Sequence, residues 1–164
     1  MPGKVIFVVG LPGAGKSEFL KQLSQEFEAQ VFDDFKAHAM SDNPAFDCAR
    51  EFEPLKRALN AGELCIVADI DFCNESSRRE ASLLIEQYCR GTEIEWRYFA
   101  NDPAACKNNV LRRAEEAPRN VTLELENVAR YSEHYRIPPG GIIIPVWAER
   151  PGEVINQPDH GSQE

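Results

Sequence analysis

The sequence G-L-P-G-A-G-K-S runs from Gly10 to Ser17 and indicates the fold of the chain more strongly than any other stretch. The apolar run K-V-I-F-V-V at 4–9 precedes it, and E-F-L-K-Q-L-S-Q-E-F at 18–27 follows with the spacing of an amphipathic helix. A β-branched run, a glycine-rich turn and a helical period together predict a strand, a tight loop and a helix.

The residue types in this loop suit a triphosphate. Glycines let the backbone wrap closely around phosphate oxygens and point its N–H groups inward, while the start of the helix adds the positive end of its dipole. Lys16 is expected to reach the β- and γ-phosphates and Ser17 to ligate Mg²⁺. A glycine turn that binds nothing is the alternative, but the strand and helix on either side argue against it. We therefore expect ATP to contact Gly10, Leu11, Pro12, Gly13, Ala14, Gly15, Lys16, Ser17 and Glu18.

Composition narrows the class of protein. The chain has 164 residues and a formal net charge of −9, which argues against a protein that coats a nucleic acid or an anionic membrane. A small phosphorylated acceptor in a locally basic cleft is compatible with that charge. No apolar run approaches the length of a membrane span, and no cleavable leader is recognisable before the first strand. Five widely spaced cysteines without a C-x-x-C motif predict reduced thiols and a cytoplasmic protein.

Strands and helices alternate along the chain. This pattern predicts an α/β fold of three layers, in which a mostly parallel five-stranded sheet carries helices on both faces. We expect a single domain over residues 1–148 and a flexible tail at 149–164. Strands are predicted at 5–9, 30–32, 64–68, 92–100 and 141–146, and helices at 16–29, 45–60, 75–90, 102–113 and 121–134.

Carboxylates follow two of these strands. Asp33 and Asp34 come after the second strand, and Asp69 and Asp71 after the third. Because ligands of parallel sheets lie at the carboxyl ends of the strands, these side chains should share one edge with the phosphate loop. Asp69 is the candidate Mg²⁺ ligand, whereas Asp71 could contribute to the metal or could cap the following helix.

The motifs together resemble the small P-loop kinases, within the P-loop NTPase fold, and most closely the polynucleotide-kinase-like branch. The similarity covers most of residues 1–146. It is carried by the phosphate loop, by the run Asp33-Asp34-Phe35-Lys36, by the strand ending on Asp69, and by Asn109-Val-Leu-Arg112, which is similar to that branch's lid motif.

The resemblance implies roles for the residues after the second strand. Asp33 matches the catalytic base, which accepts a proton from the acceptor hydroxyl, and Asp34 stands beside it. An ordinary strand-ending turn is the alternative for this pair. Lys36 stands where the branch has a basic residue that grips the acceptor's phosphate. In the bacteriophage polynucleotide kinase that residue is arginine, so a bidentate fork is replaced here by a point charge.

The resemblance also implies a lid at about 107–120, from which Arg112 would stabilise charge on the transferring phosphoryl group. Arg113 or Arg119 takes that role if the register differs, and a solvated basic helix face is the alternative for all three. Arg78 and Arg79 on the third predicted helix are expected to form an exposed surface pair, with the acceptor cleft as the alternative.

Other classes of nucleotide-binding protein can be weighed on motifs. A GTPase would carry N/T-K-x-D and D-x-x-G, and neither motif is present. An ATP-binding regulatory module or a plain ATPase lacks a distinguishing motif and stays open. The sequence thus favours an Mg²⁺–ATP-dependent kinase with a small acceptor. A 5′-hydroxyl end of a nucleic acid stays possible, and the acceptor's identity and the oligomeric state are not predicted.

Overall fold

The computed structural model describes residues 2–33, 44–116 and 120–147, with the side chains of 44–51 excepted. Within these ranges five strands and five α-helices alternate along the chain. The strands are β1 (Lys4–Val9), β2 (Gln30–Phe32), β3 (Leu64–Ala68), β4 (Glu93–Phe99) and β5 (Ile142–Ile144). The helices are α1 (Lys16–Phe27), α2 (Pro44–Asn60), α3 (Glu75–Tyr88), α4 (Pro103–Glu116) and α5 (Val121–Ser132), with a 3₁₀ helix at Ile70–Cys73.

The five strands form one parallel sheet in the order β2-β3-β1-β4-β5. Lys4 of β1 pairs with Leu64 on one side and Glu93 on the other, so β1 is the central strand. The predicted α/β fold with a parallel five-stranded sheet is confirmed. The phosphate loop therefore leaves the centre of the sheet at its carboxyl edge.

The middle of the sheet is apolar because it is covered on both sides. Val5 to Val9 and Cys65 to Ala68 are almost completely buried, as a parallel strand with two covered faces requires. The continuous apolar runs that predicted these two strands in the sequence have this physical origin. They form the core on which the loop is mounted.

Helices cover both faces of the sheet. Successive residues of a strand point to opposite faces of the sheet, so the contacts of Tyr98 and Phe99 in β4 show which helix covers each face. Phe99 meets Phe19 of α1 edge-to-face at 5.6 Å, and Tyr98 lies under the guanidinium group of Arg78 from α3. The predicted three-layer arrangement is thus confirmed.

Several predicted ends shift by a few residues. The first helix ends at Phe27 rather than at Ala29 because Glu28 adopts the left-handed region, with φ of 54°, and its N–H bonds to the carbonyl of Ser24. The last strand is shorter than predicted, since only residues 142–144 pair with β4. No helix of the described residues is both long enough and apolar enough to cross a membrane.

Candidate active site

The phosphate loop connects β1 to α1 and is held from below by the core. Leu11 and Ala14 are buried, as are Gly10 and Gly13, which anchors the loop to the sheet, whereas Ser17 at its end is exposed. Gly13 and Gly15 have φ of 83° and 107°, the left-handed region that glycine adopts without a Cβ clash. Glycine is therefore the residue that the backbone favours at both positions of this loop.

Lys16 is the first residue of α1 and its side chain folds back along the loop. Its ammonium group donates to the carbonyl oxygens of Gly10 at 2.7 Å and Leu11 at 3.0 Å. This contact holds the positive charge at the mouth of the loop. A bound polyphosphate would offer stronger, charged acceptors to the same ammonium group.

Ser17 and Asp33 meet across the gap between α1 and β2. The Ser17 hydroxyl donates to the Asp33 carboxylate at 3.2 Å. The predicted metal ligand and the predicted base, 16 residues apart in the chain, are therefore neighbours. Hydroxyl and carboxylate oxygens are the hard donors that Mg²⁺ prefers, so Ser17 and the buried Asp69, the predicted ligands, have a chemistry that fits this ion.

Asp69 and Asp71 follow β3 but have different surroundings. Asp69 is buried, and its carboxylate accepts from the Asp71 N–H at 2.8 Å, which starts the 3₁₀ helix. The Asp71 carboxylate accepts from the Asn74 side chain at 3.1 Å and the Ser77 hydroxyl at 2.7 Å. Asp71 thus ties the 3₁₀ helix to the start of α3, although the N-cap of that helix is Asn74 and not Asp71.

A cleft of about 500 Å³ opens beside the phosphate loop. Phosphate-loop residues line one part of it, called here the loop end. Arg112 and Trp147 line another part, called here the ring end, where the Arg112 guanidinium group lies over the ring of Trp147 with 4.5 Å between Cζ and the ring centroid. The lining also includes Glu18, Phe19, Gln22, Phe99, Asn109, Arg113 and Pro145.

Asn109 joins the two ends of this cleft. Its side-chain amide donates to the carbonyl oxygens of Gly13 at 2.9 Å and Trp147 at 2.8 Å. The sequence motif contained this asparagine, but no role was predicted for it. The only signal in the sequence is an asparagine at a buried position of an amphipathic helix, which does not identify its partners.

The other arginines considered from the sequence have different environments. Arg113 lies 3.6 Å from Glu124 and so links α4 to α5. Arg78 was interpreted as part of an exposed pair with Arg79, which is wrong for Arg78. That side chain is buried and donates to the carbonyl oxygens of Phe72 at 2.7 Å and Arg136 at 2.9 Å. Asp34, Lys36 and Arg119 lie outside the described residues.

Two buried thiols near the site are neutral groups. Burial raises the pKa of Cys73 to about 12 and that of Cys106 to about 11. Lys16 opposes both shifts but does not reverse them. Neither thiol is therefore a nucleophile at neutral pH. The groups available for chemistry in the described site are the carboxylates and the Ser17 hydroxyl.

Comparison with known proteins shows the fold. No family model matches the chain. An uncharacterized protein of Acanthamoeba polyphaga mimivirus is 28% identical over 138 residues, which cover 84% of this chain and 89% of the viral protein.

Among solved structures, a fungal RNA kinase superposes with a TM-score of 0.61 at 16% identity, covering 95% of this chain and 80% of that one. A sugar kinase from Janibacter superposes with 0.59 at 12% identity, covering 88% and 84%. A gluconokinase from Sinorhizobium meliloti superposes with 0.57 at 12% identity, covering 88% and 83%. The chain thus has the fold of the P-loop kinases.

Proposed function

We propose that this protein is an Mg²⁺–ATP-dependent kinase that transfers the γ-phosphate of ATP to a hydroxyl of a small acceptor. The observation that carries the proposal is the 3.2 Å hydrogen bond between Ser17 and Asp33. It brings a carboxylate to the end of the phosphate loop where the γ-phosphate would lie. A carboxylate at that point can accept the acceptor's proton as the phosphoryl group is transferred.

The phosphates would be held by the chain's own charges and dipoles. The loop N–H groups, the start of α1 and the Lys16 ammonium group would share the negative charge of the triphosphate. The Ser17 hydroxyl and the Asp69 carboxylate would hold Mg²⁺. Bound there, the ion would neutralise charge between the β- and γ-phosphates.

Asp33 is proposed as the base. It would take the proton from the acceptor hydroxyl and orient the oxygen for in-line attack. Asp34 and Lys36, which follow Asp33 in the chain, are proposed to contact the acceptor.

A cytoplasmic location is proposed from the cysteines. Four described cysteines carry free, buried thiols, which supports a cytoplasmic enzyme.

The adenine ring is proposed to lie in the cleft between the phosphate loop and Trp147. An aromatic ring and a guanidinium group already stack there, and both are favourable surfaces for a nucleobase. Arg112 could also reach toward the transferring phosphoryl group on closure of a lid at about 107–120. Residues 1–148 would form the single kinase unit, with 149–164 as its tail.

The direct test is ADP release from Mg²⁺–ATP, with and without pools of acceptors. The pools are nucleosides, nucleotides, 5′-hydroxyl oligonucleotides, sugars, and hydroxy or amino acids. We expect one pool to stimulate ADP release by at least about tenfold, because a positioned base contributes on the order of 10²–10⁴ in rate. Fast ADP release that no pool changes would identify an ATPase instead. ATP binding without turnover in any pool would identify a regulatory module.

Substitutions then separate binding from chemistry. Lys16→Ala should weaken ATP binding and abolish turnover, whereas Asp33→Asn should retain ATP binding and lose transfer by about 10²-fold or more. Lys21→Ala removes an exposed lysine from the same helix and is the matched control. Equal loss of ATP affinity in the Lys16 and Asp33 variants would contradict the role given to Asp33.

A further inference from the structure

Asn109 is one of four polar or charged side chains that are buried in the described part of the chain. It lies on α4, 96 residues from its partner Gly13 and 38 from its partner Trp147. Both partners offer carbonyl oxygens, so the two protons of the amide nitrogen are used together. The amide oxygen faces the Arg112 guanidinium group at 3.5 Å.

These contacts connect the two ends of the cleft. Gly13 belongs to the loop that would take phosphates, and Trp147 belongs to the segment that would take a ring. Neither segment is bonded to the other through secondary structure, because β1 and β5 are separated in the sheet by β4. The Asn109 side chain is a direct polar link between them.

We propose that Asn109 is a positioning residue that sets the spacing between the phosphate loop and the ring end of the cleft. A nucleoside triphosphate then engages both ends at once without first ordering them against each other, which is how preorganisation increases affinity. The proposal rests on the proposed function in one respect, since it takes a nucleoside triphosphate as the ligand. It does not depend on whether the phosphate is afterwards transferred.

The test compares two ligands in one variant. Inorganic tripolyphosphate with Mg²⁺ uses only the loop, whereas Mg²⁺–ATP uses both ends. Asn109→Ala should raise the Kd of ATP by about tenfold or more, since its hydrogen bonds to the carbonyl oxygens of Gly13 and Trp147 are both lost. The Kd of tripolyphosphate should rise by about twofold at most, so the preference for ATP falls. Asn108→Ala, an exposed asparagine next to it on α4, should leave both Kd values unchanged.

A structural role alone gives a different result. If Asn109 only supports the loop, both ligands weaken by the same factor and the proposal is overturned. Unchanged Kd values overturn it as well. A further check uses Trp147→Ala, which removes the ring and keeps the carbonyl. In that background Asn109→Ala should raise the Kd values of ATP and tripolyphosphate by the same factor. A larger rise for ATP than for tripolyphosphate would contradict the coupling between Asn109 and the Trp147 ring.

Folding and function are controlled separately. Asn109→Asp keeps the side-chain volume and replaces the two N–H donors by an acceptor oxygen. If Asn109→Ala does not fold, the Kd values of ATP and tripolyphosphate are compared in this variant instead. If no acceptor stimulates ADP release by the wild type, the kinase proposal is overturned. The Kd values of ATP and tripolyphosphate can still be compared, so the role of Asn109 is tested independently. A wild type that binds neither ligand would end both proposals.

Discussion

Gly13 and Gly140 show how one residue type performs two different tasks. Both have a left-handed backbone, with φ of 83° and 81°. A Cβ on Gly13 would lie 2.4 Å from the Cys106 carbonyl oxygen, whereas a Cβ on Gly140 would meet nothing within 4 Å. A side chain at Gly140 would therefore cause backbone strain alone, whereas a side chain at Gly13 would also clash with α4 under the phosphate loop.

Alanine substitutions at these two glycines test that distinction. Gly140→Ala should lower the free energy of unfolding by about 1–2 kcal/mol, the cost of a left-handed alanine, and leave ATP binding intact. Gly13→Ala should cost more and should also abolish ATP binding, because the loop must move away from α4. Urea denaturation and ATP titration measure both quantities. Retained ATP affinity in Gly13→Ala would contradict this account of the loop.

At the scale of single residues, the sequence predicted what the local backbone determines. The glycines, Lys16 and Ser17 act through a short loop, so their spacing alone indicated their arrangement. Asn109 depends on Gly13, far from it along the chain, and no local pattern encodes that contact. The placement of Asp33 beside Ser17 was predictable only because parallel strands end at one edge.

Among the elements, α3 is attached to its surroundings by a buried arginine. Arg78 connects the helix to the 3₁₀ helix through the Phe72 carbonyl and to the segment after α5 through the Arg136 carbonyl. The Phe72 N–H donates to the carbonyl oxygen of Asp69 at 3.1 Å, so Arg78 is connected through Phe72 to the candidate metal ligand. The sequence suggested an exposed pair because neighbouring arginines look alike without knowledge of which side of the helix is covered.

Replacing each arginine by methionine tests this difference between neighbours. Arg78→Met should lower the free energy of unfolding by about 2–4 kcal/mol, since it leaves two buried carbonyl groups without their donors. Arg79→Met removes an exposed arginine that pairs with Glu75 at 3.2 Å, and it should change stability by less than about 1 kcal/mol. Urea denaturation of both variants gives the comparison. Equal effects would show that Arg78 does not hold α3 in place.

Predictability at the scale of elements follows burial. The bounds of β1 and β3 were predicted closely because a short continuous apolar run is typical of a strand buried on both faces. The 3₁₀ helix at Ile70–Cys73 was not predicted. Its first turn is stabilised by the Asp69 side chain rather than by a periodic pattern, so periodicity cannot reveal it. The ends of β5 depend on how far β4 extends beside it.

For the whole molecule, the buried thiols report on global unfolding. Cys65, Cys73, Cys89 and Cys106 are completely buried, and burial raises the pKa of each, to about 12 for Cys65 and about 11 for Cys106. While Cys106 stays buried, a pKa of about 11 leaves roughly one of its thiols in a thousand ionised at pH 8.

A Cys48→Ser variant keeps only these four buried cysteines, so it should resist thiol labelling in its folded state. We expect its labelling at pH 8 to rise in step with urea unfolding followed by circular dichroism, and all four thiols to react together. An unfolded control in urea sets the full labelling rate. Fast labelling of one thiol in the folded protein would reveal a local opening instead.

The position of β1 at the centre of the sheet has a consequence for synthesis on the ribosome. Lys4 pairs with Leu64 and Glu93, so both partners of β1 are translated long after it. At about 5–20 residues per second, the nascent strand waits roughly 5 to 20 seconds before its second partner has been made. Until β3 has been made, V-I-F-V-V is an unpaired, uncharged apolar segment, which is the kind of sequence that chaperones bind, and its other edge stays unpaired until β4 follows. Translation speed through the codons between β1 and β4 should thus affect the yield of folded protein more than speed through the codons after β4.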